Sequence, residues 1–567
     1  MRLKHLFVVA LLLVPFALQL NAQTARAIVG GSSALFLEMG QGDSAGSGNC
    51  NWTSSSGNVV TDSRIVAPNT ESGNLWVVWT TGGGSCAAPG AGAVVDAYIQ
   101  LDSTVGNRCF FAQPQCVLST TKAALDGGAG LLTGFPDTAL PATVLAAFNN
   151  KPINIAATDI LPADAKFATY STLALCGPLS SGTQFIGHGY GPGPVGQIIK
   201  SSYSGKTFAP VDFNVFGSDP ITSTPVPGHV VVPVGASPVV VVLNTLNANG
   251  FGNAAYTNVN RGTLALFFSS IFVRTADMLP QAFAGLGGPY YGVTAISREP
   301  LSGTYRTFEH NIPNNKELFR SQEIGNCTNA TYVVSTNPLN LTRTVGGTTG
   351  THTRAIGTGE EVTQLTTVQD SIGYSFWSVA NFAGKNNIKY VSVDGVDPFF
   401  DSYNNNGSGG LQPVGTIPQA GNNLLPNVTL GHIKDGSYPI WSMLRLVTTG
   451  GNESVAQDLA TKAQSRIVFG GVNANPDFVP FNQMTVFRAH YSPVFVNYNA
   501  TNTPSAGPSV CGVVGPPSGP AEAGGDAGGL VFSMQAGADY CILKGFYGDI
   551  NNGVGITDKG TSFGVRQ

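Results

Sequence analysis

Arg298-Glu299-Pro300-Leu301-Ser302-Gly303-Thr304-Tyr305-Arg306-Thr307-Phe308 sets an arginine four residues ahead of a Ser-Gly-Thr turn. Hydroxyl residues at the mouth of a helix, a glycine that lets backbone approach closely, and a guanidinium fork are the parts that suit a tetrahedral oxyanion, because a helix N-terminus presents free N–H groups and a positive dipole end. The tripeptide recurs at Ser181-Gly182-Thr183, where no arginine precedes it and an ordinary turn is the better reading. On local residues alone, 302–304 fits either an anion loop or a capped helix start without a ligand.

Composition narrows the setting. Met1-Arg2-Leu3-Lys4-His5, the apolar run from Leu6 to Leu20 and then Asn21-Ala22-Gln23 form a secretory signal pattern, residues 1–22, with cleavage near Ala22. The expected product is a periplasmic or secreted protein without stable membrane insertion. Only 11% of residues are charged and the net charge is -4, which argues against a nucleic-acid partner. The 72 glycines, with much Ser, Thr and Asn, predict many turns and long surface loops.

Eight cysteines in an exported chain predict disulfides. Proximity favours Cys50 with Cys86, Cys109 with Cys116 and Cys511 with Cys541, leaving Cys176 with Cys327. There is no C-x-x-C and the seven histidines are scattered, so neither a metal nor another cofactor is expected. His188, His229, His310, His352, His432 and His490 read mostly as surface residues of polar loops. Ile28-Val29-Gly30-Gly31 and Gly42-Asp43-Ser44 resemble pieces of trypsin-like proteases, but their order along the chain is wrong for a triad. No activated nucleophile is offered, and the chain reads as a non-enzyme.

Short β-branched runs alternate with helical stretches, the pattern of an α/β protein. Strands are predicted at 93–101, 152–157, 230–234, 238–244, 372–377 and 388–393, and a buried helix over 263–272. The run from Pro238 to Asn244 is apolar throughout, as in a strand covered on both faces. Stretches 40–57, 80–92, 187–228, 311–366 and 404–427 read as loop insertions. From about Pro480 the chain turns aromatic and turn-rich.

Seven short segments occur in an order that resembles the periplasmic phosphate-binding proteins of ABC transporters. They are Gly30-Gly31-Ser32-Ser33-Ala34-Leu35-Phe36, Leu101-Asp102-Ser103-Thr104-Val105-Gly106, Ala156-Ala157-Thr158-Asp159, the 298–304 segment, Ser371-Ile372-Gly373-Tyr374, Val393 to Pro398, and Ser437-Tyr438-Pro439-Ile440-Trp441. The resemblance spans about residues 27–475 and implies a two-lobed type 2 periplasmic-binding fold with a hinge. Lobe one would hold 27–237 and 436–480 and lobe two 238–435, followed by a mainly β or irregular appendage over 481–567.

By the same resemblance, Ser33, Ala34 and Leu35 and the Ser103 hydroxyl would supply donors from lobe one. Asp159 would accept a hydrogen bond from a protonated oxyanion, and so exclude fully deprotonated sulfate; its alternative role is a helix N-cap. Ser302, Gly303 and Thr304 would donate from lobe two, with Arg298 as a charge-assisted partner. Two departures stand out: Ala34-Leu35-Phe36 lacks the family's usual hydroxyl, leaving Ser32 or Ser33 to supply it, and Pro300 replaces an acidic residue beside Glu299. The implied function is capture of phosphate or a similar oxyanion without chemistry, with an ABC-transporter permease as a possible partner. A secreted structural or adhesive protein that has lost or changed the ligand is the alternative.

Overall fold

A computed structural model describes residues 23–64, 69–123, 126–160, 162, 165, 197–198, 209–210, 213–268, 271–279, 290–298, 301–312, 341–355, 357–401, 415–484, 486–488, 529–533 and 542–547. The first half contributes β1 (Thr24–Ser32), α1 (Phe36–Ser44), β2 (Asn49–Ser54), β3 (Leu75–Thr80), β4 (Val94–Leu101), α2 (Ser103–Phe111) and β5 (Ile155–Thr158). Next come β6 (Val230–Asn244), α3 (Arg261–Phe268), β7 (Thr294–Arg298), α4 (Gly303–Asn311), β8 (Leu341–Val345), β9 (Thr348–Ala355), α5 (Gly357–Thr367), β10 (Ser371–Phe376) and β11 (Ile388–Val393). The main sheet is completed by β12 (Trp441–Thr448), with α6 (Glu453–Gln464) after it.

These strands form a large mixed sheet in the order β8-β9-β7-β10-β6-β12-β5-β1-β4-β3-β2, the α/β class that the alternation predicts. Within this strand order the parallel pairs lie in two groups, β4-β1-β5 and β9-β7-β10. Between them run β6 and β12, antiparallel to each other. The two apolar runs read as separate strands at 230–234 and 238–244 are one strand of 15 residues, because Gly235 sits at a register shift that bends the chain without ending it. Its first part pairs with β12, and from Val239 onward it pairs with β10. The two halves are therefore joined through β6 and through β12, whose last residues pair with β5.

Alternation of side chains builds the core on both faces of the first half. Along β4, Val95, Ala97 and Ile99 enter one apolar cluster with Trp52, while Tyr98 joins the opposite one with Met39 of α1 and Leu459 of α6. In the second half, Val239 to Leu243 are all fully buried, which accounts for the unbroken apolar run. Each such side chain contributes about 1.5–3 kcal/mol relative to exposure.

Several expectations need correcting. The 311–366 stretch contains the β8–β9 hairpin and α5, since threonine's branched Cβ suits a strand and Gly346-Gly347, both at positive φ, make the tight turn. The 40–57 stretch holds the end of α1 and all of β2. His229 and His352 are buried: His229 lies edge-on to Phe111 and His352 bonds the Ser297 hydroxyl at 2.7 Å. Ile28–Gly31 lies inside β1 and Ser44 ends α1, so neither belongs to a nucleophile loop. Disulfides Cys50–Cys86 and Cys109–Cys116 form as expected; Cys176, Cys327, Cys511 and Cys541 lie outside the described residues, as do Ser181–Thr183, Glu299 and Pro300.

Candidate functional site

Helix α2 begins where β4 ends, and it lies so close to β1 that a Cβ on Gly106 would strike the Gly30 carbonyl and the Gly31 backbone. Glycine at 106 thus brings the start of α2 against the end of β1. Asn107 fastens that end, donating to the Ser103 carbonyl at 2.9 Å and the Thr158 hydroxyl at 3.0 Å. Ser103 is buried and its hydroxyl donates to Asp159 Oδ1, while the Asp159 N–H donates back to Ser103 Oγ at 3.2 Å. Asp159 and Ser103 are therefore one reciprocal unit.

On the other side, Arg298 is the last residue of β7. Its N–H donates to the Tyr374 hydroxyl at 3.3 Å, and the Tyr374 ring stacks on Phe308 of α4 with centroids 3.8 Å apart. That stack ties the Ile372-Gly373-Tyr374 strand to the helix that follows Ser302. Arg298 is almost wholly buried; Nη1 donates to Thr358 Oγ1 at 2.8 Å and Nη2 lies 3.9 Å from Asp102 Oδ1. Ser302 caps α4, its hydroxyl accepting from the Tyr305 N–H at 3.4 Å, and Thr304 is buried beside it.

The two halves meet here. A Cβ on Gly303 would fall on the Asp159 carboxylate, so α4 starts directly against the Ser103–Asp159 unit. The Thr104 N–H, one of the donors that open α2, goes to the Leu301 carbonyl at 3.2 Å. Beside this contact lies a cleft of about 260 Å³ lined by Ser33, Asn74, Gln100, Asp102, Arg298 and Thr358, among others. Next to Ser33, the Tyr98 hydroxyl donates to the Ser32 carbonyl; burial, then the charges of Asp159 and Glu38, hold the phenol well above its ordinary pKa and keep it a donor.

The predicted residues fall into three groups. Arg298 and Ser33 line the cleft. Ser103, Asp159 and Gly303 form the contact next to it, with Ser302 and Thr304 at the same helix start. Ala34 and Leu35 belong to the core under α1, and the Ala34 N–H is used by the Ser32 hydroxyl at 3.2 Å. That bond commits Ser32 to capping the short turn 33–35 and leaves Ser33 as the hydroxyl facing the cleft.

Asp102, Thr358, Asn74 and Gln100 were not singled out in the sequence. Asp102 stands next to Ser103 in an already quoted segment, so its place was open to reading. Thr358, in Gly357-Thr358-Gly359, repeats the small-and-hydroxyl pattern of a helix start, hidden inside a stretch read as an insertion. Asn74 and Gln100 have no motif; only the pairing of neighbouring strands brings them to the cleft.

No protein-family model and no curated protein matches the chain. Among solved structures, a high-affinity periplasmic phosphate-binding protein bound with phosphate is similar at 14% identity and a TM-score of 0.31, covering 80% of this chain and 90% of that one. A phosphate-binding protein from Stenotrophomonas maltophilia is similar at 14% identity and a TM-score of 0.31, over 68% of this chain and 84% of its own. An ABC-type phosphate transport receptor from Vibrio cholerae is similar at 13% identity and a TM-score of 0.23, over 42% of this chain and 66% of its own, just under two thirds of that receptor. The architecture described above rests on this chain's own strand order. Among the described residues no helix is long and apolar enough to cross a membrane.

Proposed function

We propose that this chain is an exported solute-binding protein that holds phosphate or a chemically similar oxyanion between two lobes and releases it unchanged. The observation that carries the reading is the convergence of Arg298, from the second half, with Ser33 and the Ser103–Asp159 unit, from the first, around one cleft and its adjoining contact. A guanidinium with hydroxyls and two helix starts is a complete set of donors for a tetrahedral anion, and Asp159 adds an acceptor for a protonated one. The strands β6 and β12 would serve as the hinge, with lobe one over 27–237 and 436–480, lobe two over 238–435 and the appendage over 481–567. Delivery to an ABC-transporter permease, after signal cleavage near Ala22, completes the proposal. Isothermal titration of the secreted protein with phosphate, arsenate and sulfate tests it; absence of heat with all three would falsify it. A phosphatase assay on the same preparation checks that the ligand is not turned over.

One observation favours a second reading, a secreted structural or adhesive protein that has lost or changed its ligand. Leu301 already occupies a donor of α2, and Arg298 already bonds Thr358. Under that reading the titration is silent while the fold stays intact.

A further inference from the structure

We infer that the cleft takes a phosphate monoester of a small hydroxylated molecule in preference to the bare inorganic anion, an inference that rests on the oxyanion-binding reading above. Size is the first ground. A cleft of about 260 Å³ holds several water-sized groups, whereas an inorganic oxyanion has only five heavy atoms. Held by Arg298, such an anion leaves space in the cleft for something else.

The chemistry of the rest of the lining says what. Asn74 Nδ2 donates to Gln100 Oε1 at 2.9 Å, and among the described residues the other ends of these two amides have no hydrogen-bond partner. Whichever way the amides are turned, a pair joined by one hydrogen bond leaves one carbonyl acceptor and one NH₂ donor facing the cleft. A hydroxyl, which both donates and accepts, matches that pair; a phosphate oxygen matches only half of it. The amide pair is neutral and polar, and the Asp102 carboxylate also lies in the lining, so the space beyond the anion suits an uncharged polyol and not a second negative charge.

This part of the lining is also held firmly. Gln100 N donates to the Asn74 carbonyl at 2.8 Å, and the fully buried Asn58 donates to the Gly73 carbonyl at 3.2 Å. Asn74 immediately precedes β3 and Gln100 lies within β4, so the amide pair stands on paired strands, where a recognition group keeps its geometry.

Titration of the full secreted chain with glycerol 3-phosphate, ethyl phosphate, inorganic phosphate and glycerol tests the inference. Glycerol 3-phosphate is expected to bind about tenfold or more tightly than inorganic phosphate or ethyl phosphate, with glycerol alone silent. Asn74→Ala and Gln100→Ala are expected to bring the ratio between glycerol 3-phosphate and inorganic phosphate close to one, and the ligand comparison on the unaltered chain stands even if a variant does not fold. Inorganic phosphate binding as tightly as the ester, or ethyl phosphate matching glycerol 3-phosphate, overturns the inference and leaves the oxyanion reading in place. Silence with every ligand overturns both.

Discussion

The Asp159 carboxylate lies against the Cα of Gly303, in the space a β-carbon would need. This one contact joins the end of β5 to the start of α4, and it leaves no room at position 303 for any side chain. Gly303→Ala is expected to force the two apart, costing about 1–3 kcal/mol of stability as an overpacked site and weakening oxyanion binding at least about tenfold. Thermal melting and titration calorimetry on the same preparation check both effects; an alanine variant that binds like the parent overturns the close-contact account.

Arg298→Ala removes a buried charge-assisted donor, and its expected effect on oxyanion affinity is a loss of about tenfold to a hundredfold. Arg298→Lys keeps the charge and loses the planar fork that reaches Thr358, so it should recover only part of that loss. Recovery to the parent value would show that charge alone matters. Titrations of the two variants at one ionic strength decide it.

Asp159→Asn replaces an acceptor by a group that also donates. The expected outcome is a change of selectivity: the parent prefers phosphate over sulfate, and the asparagine variant narrows that preference by about tenfold through better sulfate binding. Competition between the two anions is the measurement.

Burial, with Asp96 adding to it and Lys462 and Arg26 opposing, raises the Asp43 carboxyl from 3.8 to about 7. The folded chain then carries a proton that the unfolded chain has already released, so this group's stabilisation is complete below the ordinary carboxylate value and is lost as pH rises towards about 7. His229 acts in the opposite sense: burial lowers it from 6.5 to about 4, and its contribution is lost as pH falls through that interval. The two windows overlap, so the parent's melting curve blends them. Asp43→Asn is expected to remove the falling slope and His229→Phe the rising one, read as melting temperature against pH between about 4 and 7.

Cys50–Cys86 closes a loop across a sequence separation of 36 residues around β2 and β3. Chain-entropy reasoning gives about 3–4 kcal/mol for such a link. A Cys50→Ser, Cys86→Ser double variant should lose about that much in denaturant unfolding, and a reducing agent, which also opens Cys109–Cys116, should lower the parent by at least as much.

Much of this architecture is legible in the chain. The unbroken apolar run at 238–244 marks a strand covered on both faces, and Ile388–Val393 announces itself by its branched residues, because burial and β-branching act locally. What escaped was masked by composition. The Thr-rich hairpin at 341–355 and the helix at 357–367 look like surface loop until the turn at Gly346-Gly347 is seen folding one threonine run onto another. His229 and His352 escaped because neighbours from distant segments bury them, Phe111 beside His229 and Phe268 with the Ser297 hydroxyl beside His352.

The candidate site divides along the same line. By itself the sequence nominated Arg298 and Ser302 to Thr304 as candidates for oxyanion chemistry, since residue type and helix-start spacing are local properties, and Ser103 and Asp159 through the resemblance of their segments. Only the tertiary structure decided their company: Ser32 used in a turn and Ser33 in the cleft, Ala34 and Leu35 in the core, Thr358 and Asp102 on Arg298, and the Asn74–Gln100 pair in the same lining. Those partners come from segments tens to hundreds of residues apart, and what brings them together is strand pairing across β6 and β12, which no spacing along the chain encodes.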